Sequence, residues 1–227
     1  MGGLNLKREI TLPPYSRAEE ICNMTTHIVG GAFGIVALIL CVVRSVLSGN
    51  LWGIVSSAIY GASIVLLFTM SSIYHGLIPV KAKKVFRVID HCTIYLLIAG
   101  TYTPIVLVSI RPVSPFWAWL VFGIVWGAAL FAMTLTAIDM HRFRVFSMIS
   151  YLAMGWCVLI CIKDAILAVG GAGMLMIFIG GVLYTIGAVI YMIGKKKSVP
   201  YAHTIFHVFV LFACVLHFVA IYAYVLN

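Results

Sequence analysis

Seven times along this chain an apolar run, nearly free of charge, is long enough to cross a bilayer. The runs are roughly 21–43, 51–77, 88–110, 116–138, 145–162, 174–194 and 201–226. A membrane-crossing helix needs about 20 mainly apolar residues. The breaks carry turn and loop punctuation: Ser48-Gly49-Asn50, Pro79, Pro112 with Pro115, Gly170-Gly171 and Pro200. A span must satisfy its own backbone hydrogen bonds, which leaves helices or a closed barrel. These runs are too long and too uniformly apolar for the alternating strands of a barrel. The expected fold is therefore an all-α membrane protein, a seven-transmembrane helix bundle over 21–227 preceded by a short tail, 1–20. No internal repeat and no domain-separating linker is visible.

Composition agrees. Hydrophobic residues make up 63% and charged residues 9% of 227, and the mean hydropathy is +1.14. Soluble domains run nearer half apolar and a quarter charged. The formal charge of +9 could suggest nucleic acid, but almost no chain is left to build a soluble basic surface. It reads better as loop lysines and arginines facing anionic lipid headgroups. The six cysteines (Cys22, Cys41, Cys92, Cys157, Cys161, Cys214) lie mostly inside apolar runs with no CxxC pair, so no disulfide framework is expected. The first twenty residues hold Pro13, Pro14 and several charges but no apolar core. A cleavable signal peptide is not expected there, and the first span serves as the insertion signal.

Lysine and arginine set the direction. Lys7, Arg8 and Arg17 are in the tail, Lys81, Lys83, Lys84 and Arg87 in the second loop, Arg142 and Arg144 in the fourth, and Lys195, Lys196 and Lys197 in the sixth. The other side has Arg44, Arg111 and Lys163. Positive residues stay in the cytoplasm, so the N-terminus is expected inside and the C-terminus outside. Trp52, Trp117 and Trp119 then open spans two and four at the outer interface, where such anchors belong.

That topology brings three distant motifs to one depth. "SSIYH" (Ser71 to His75) ends span two, "VIDHC" puts Asp90 at the start of span three, and "HTIFH" (His203 to His207) opens span seven. All would lie in the inner leaflet. Residues four apart share a helix face, so Ser71 pairs with His75 and His203 with His207. Three imidazoles at one depth suit a zinc ion, since catalytic zinc takes three protein ligands and leaves a position open. Asp90 is the only acid within a span; Glu9, Glu19, Glu20, Asp139 and Asp164 are in the tail, in loops or at a span end. An intramembrane carboxylate marks function by default. Each feature alone has a plainer reading. Histidines near a helix end could reach headgroups, Asp90 could pair with Arg87 or Lys84, and Ser71 could bond back to its own helix. The coincidence of depth favours metal.

Taken together, these motifs resemble the bacterial hemolysin III family, within the wider superfamily of progestin and adiponectin receptors and alkaline ceramidases. "AEEICNMTTH" (Ala18 to His27) is similar to that family's start of span one. The resemblance implies that His75, His203 and His207 ligate zinc, that Asp90 holds the zinc-bound water and that Ser71 is a polar group beside it. Since relatives in the superfamily hydrolyse ceramide amides, it also implies a hydrolase of membrane lipid amides, fed from the inner leaflet of the bacterial cell membrane. Two alternatives stand beside it: a non-enzymatic, zinc-stabilised membrane-homeostasis or sensor protein, and membrane lysis as the family name suggests. A tunnel from lipid to the metal would favour the enzyme, and a sealed site the structural role. His91 is expected to diverge from Asp90 and to be structural or to stand behind the ligands rather than to ligate, Glu20 and Asn23 to cap the first helix in preference to binding a loop, His141 to be solvated, and His217 to lie too far up its helix for the same ion. His27 could reach the site through span one. Gly30, Gly31, Gly34, Gly180, Gly181 and Gly187 are expected at close helix contacts.

Overall fold

The computed structural model describes residues 10–226; Lys7, Arg8 and Glu9 of the tail lie outside the described residues. Among the described residues, seven helices are long and apolar enough to cross a membrane: α1 (Arg17–Leu47), α2 (Leu51–Gly76), α3 (Val80–Val113), α4 (Pro115–Ile138), α5 (Arg144–Val169), α6 (Gly171–Lys197) and α7 (Ala202–Val225). No strand occurs among the described residues.

Several helices outrun their apolar cores, because capping and not hydropathy sets their ends. Ser16 and Glu19 form a reciprocal capping box that starts α1 at Arg17, inside the stretch expected to be tail. Gly49, at φ +67°, turns the chain, and Asn50 caps α2 by accepting from the Gly53 amide at 3.0 Å. α3 begins right after Pro79, so Lys81, Lys83, Lys84 and Arg87 lie on its first turns and not in a loop. Pro104 supplies no N–H, and the helix continues as wider π turns over Ile105–Ile110. α5 passes through a tighter 3-10 stretch, Cys157–Cys161, and runs on to Val169. Lys163 and Asp164, expected beyond the span, are therefore helical. Gly170, at φ +81°, breaks the chain before α6.

α1 packs along α2, α2 along α3, α3 along α4 and α6 along α7, while α7 returns to α1 and closes the bundle. α3 is the most enclosed span, with 72% of its apolar 18-residue stretch buried. Small residues allow close approach at the α1–α2 seam. A Cβ on Gly61 would sit 2.6 Å from the Leu38 Cα. Gly30 and Gly34 face Phe68 and Ile64, Gly180 lies under the His217 ring, and Gly187 faces Phe206 and Phe209. The first half of α5 (Arg144–Gly155) makes no extended contact with α6 among the described residues. Those helices meet at mid-depth, where Trp156 Nε1 donates to Thr185 Oγ1 at 3.1 Å.

The alternating helices gather Arg17, the basic start of α3, Arg142, Arg144 and Lys195 to Lys197 at one end. Trp52 and Trp119 pack edge to face at the other end, with Arg111 4.3 Å over Trp52. All six cysteines are free.

Candidate metal centre

The last turn of α2, the first turns of α3 and α7 and the start of α1 meet at the basic end. His75, His203 and His207 each offer a ring nitrogen within 4.8 Å of the others. Ring centroids are 5.2 Å apart for His75 with either partner and 4.3 Å for His203 with His207. The Nε2 atoms of His203 and His207 stand 3.0 Å apart, and Nε2 of His75 is buried without a partner. Nδ1 of His75 is engaged by the Glu20 carboxylate at 2.6 Å, and Nδ1 of His207 is 3.4 Å from Thr26 Oγ1. Engaging Nδ1 leaves Nε2 as the ligating atom, the usual arrangement of a metal histidine. The set could hold a metal ion.

Around it, the remaining residues sort clearly. Ser71 and Asp90 line one cavity with His203 and His207, about 160 Å³ in volume. Ser71 Oγ is buried beside the Asp90 carboxylate, and among the described residues it does not bond back to its own helix. Arg87 turns its guanidinium to the Thr11 carbonyl. His91 does not fully diverge from Asp90: its Nδ1 lies 3.6 Å from the carboxylate while donating to the Arg87 carbonyl at 2.9 Å. It stays outside the three-histidine group, and so does His27. The His27 ring nevertheless packs 3.7 Å from that of His207, with both nitrogens buried and unpartnered. His217 is remote, bonded to the Ile177 carbonyl.

Two expectations need correction. Of the two glutamates Glu19 joins Ser16 in capping α1, while Glu20 bridges His75 and, at 2.9 Å, Lys83 Nζ. Lys83 also donates to the His75 and Leu77 carbonyls at 3.2 and 3.1 Å, closing the end of α2. Asn23 is no cap but a buried acceptor for Thr204 Oγ1 at 2.6 Å. His141 stays partly exposed, as expected, and also accepts from the Thr11 amide at 3.3 Å. That contact anchors a strap, residues 10–16, across the basic end. From it Tyr15 stacks on His203, 5.2 Å between centroids and 9° between planes. Burial pushes the Tyr15 phenol well above its ordinary pKa, so its hydroxyl stays protonated.

The sequence model of the family described as Haemolysin-III related matches residues 15–218. This chain belongs to the haemolysin III family. The matched stretch runs from the strap tyrosine to beyond His217 and so holds every residue of the centre. The haemolysin III chain is 37% identical over 206 residues to the Hemolysin-3 homolog of Bacillus subtilis (strain 168), covering 88% of this chain and 94% of that one. It is 35% identical over 208 residues to Hemolysin-3 of Bacillus cereus, covering 92% of each. A human relative, Monocyte to macrophage differentiation factor, is 26% identical over 215 residues, covering 91% of this chain and 84% of its own.

Proposed function

We propose that this haemolysin III protein is a zinc-dependent hydrolase of an amide-linked membrane lipid. It would work in the bacterial cell membrane with the basic end in the cytoplasm. The observation that carries the reading is the cavity. It joins Asp90 and the histidines to the gap between α5 and α6, past Met148, Tyr151, Tyr184 and Ala188, where a lipid in the inner leaflet could enter sideways.

Three neutral imidazoles suit zinc. Once bound, zinc would act as a Lewis acid on a carbonyl and lower the pKa of water in its open position toward neutrality. The rest falls to the chain's own groups. Asp90 Oδ takes the proton from the attacking water and returns it to the leaving amine. Ser71 Oγ, beside Asp90, donates to the oxygen that gains charge as the amide carbonyl is attacked. Glu20 holds His75 in one tautomer. Tyr15 and the strap keep bulk water from the basic side.

The same strap favours a second reading, a zinc-stabilised membrane-homeostasis or sensor protein, because it closes the centre toward the aqueous side. Direct lysis finds no support: large apolar side chains such as Ile28, Leu47, Phe131 and Phe212 cover the outer surface of the bundle.

Asp90→Asn decides between enzyme and sensor. Because Asp90 is not a ligand, the variant should keep its zinc and lose at least about a hundredfold in turnover of a ceramide or related lipid amide in vesicles. Equal turnover would remove Asp90 from the reaction, and no fatty-acid release by zinc-loaded wild type across a panel of lipid amides would favour the non-enzymatic reading.

A further inference from the structure

The cavity at Asp90 does not stop at the Trp156–Thr185 contact. A second cavity, about 290 Å³, continues between α5 and α6 toward the opposite end, past Ile105, Ile162, Met174 and Phe178. Both are lined by Thr101, Tyr102, Gly155, Trp156, Gly181 and His217. From Asp90 to Ile105 they follow α3 for about 22 Å of helix axis. The walls beyond the histidine group are mainly apolar, as a lipid chain requires.

His217 stands at the junction, 9% exposed. Its Nε2 lies 3.0 Å from the Ile177 carbonyl. A carbonyl only accepts, so Nε2 carries the proton and Nδ1 of the neutral ring is an acceptor. That Nδ1 is buried and unpartnered. The ring is fixed in place, edge-on to Tyr184 at 5.5 Å and so close over Gly180 that a Cβ there would collide with it. Neighbouring polar groups are already used. Tyr102 Oη donates to the Gly155 carbonyl and accepts from the Val158 amide, both at 2.9 Å. Thr101 and Thr185 donate to carbonyls of their own helices. His217 Nδ1 is thus an acceptor on a rigidly held ring that lines an apolar passage, and among the described residues nothing answers it.

We infer that His217 Nδ1 recognises a hydroxyl group carried part-way along the chain of a bound lipid. The inference rests on the lipid reading given above and adds a specificity element to it. An acceptor calls for a donor, which a hydroxyl supplies and an ester or keto oxygen does not. The position follows from the helix. His217 lies ten residues beyond His207 on α7, about 15 Å along its axis. An extended chain advances about 1.2 Å per bond, so the hydroxyl falls roughly twelve bonds from the group at the histidines.

The test uses the full-length, zinc-loaded protein in nanodiscs and measures displacement of radiolabelled octadecanoic acid. The competitors are octadecanoic acid and its isomers hydroxylated at the second, twelfth and seventeenth carbons. The twelfth-carbon isomer should compete about fivefold better than octadecanoic acid, the scale of one net hydrogen bond, and the other two should gain nothing. His217→Phe should abolish that preference, so that all four acids compete alike, while the protein keeps its zinc. Equal competition by all four acids would overturn the subsite and leave the lipid reading intact. Failure of any fatty acid to bind would overturn both. If His217→Phe does not fold, the positional series on wild type still decides.

Discussion

The Glu20 carboxylate lies 2.6 Å from Nδ1 of His75, so a residue of α1 sets the tautomer of a residue of α2. The other carboxylate oxygen takes Lys83 Nζ from α3 at 2.9 Å. Three helices are tied at one carboxylate, and the outcome of that tie is the free, buried Nε2 of His75.

Glu20→Gln keeps the shape of the side chain and removes its charge. Such partners of metal-bound histidines are typically worth ten- to a hundredfold in metal affinity. Competition against a chromophoric zinc chelator should place the variant in that range. Unchanged affinity would make Glu20 a helix tie and nothing more.

His207→Ala leaves two histidines. The purified variant should lose its metal, and because the ion would connect α2 to α7, it should also lose at least about 2 kcal/mol of stability. Metal analysis and thermal unfolding of the same sample check both, and full zinc occupancy in this variant would refute the ligand set.

Much of this centre was legible in the sequence, and the reason is periodicity. SxxxH and HxxxH each fix a face, and the lysine and arginine distribution brings those faces to one end; the helices deliver that convergence. Glu20 was not legible as a partner of His75, because a capping box accounts for one glutamate and two stand side by side. Ser16-x-x-Glu19 is the complete box, which leaves Glu20 over. Glu20, Asn23 and His27 then fall at i, i+3 and i+7, a polar stripe on an apolar helix, and that stripe was the available signal. Tyr15 and His141 carried no signal at all. Their roles come from a strap that folds across the bundle, through contacts between residues far apart in the chain.

The basic end is expected in the cytoplasm. With a single cysteine at Lys196 in an otherwise cysteine-free chain, an impermeant maleimide should react only after cells are opened. Reaction from outside intact cells would invert the topology, and with it the leaflet that feeds the centre.

Gly61→Ala places a Cβ 2.6 Å from the Leu38 backbone. Neither helix can yield cheaply, so thermal unfolding should register a loss of about 1–3 kcal/mol. Gly123→Ala is the control. A Cβ there meets nothing within 4 Å, and exchanging glycine for alanine in a helix should be neutral or mildly stabilising.

The histidine group also fixes an order of events during synthesis. His75 leaves the ribosome on the second span and His203 and His207 on the seventh, with the Glu20 brace waiting on the first. No chain that stops short of the seventh span can assemble the trio. A metal bound there would therefore certify that the start of the last span has been made and seated. A nascent protein stalled at six spans would keep an unmatched imidazole at its basic end, a mark by which quality control could tell unfinished copies from finished ones.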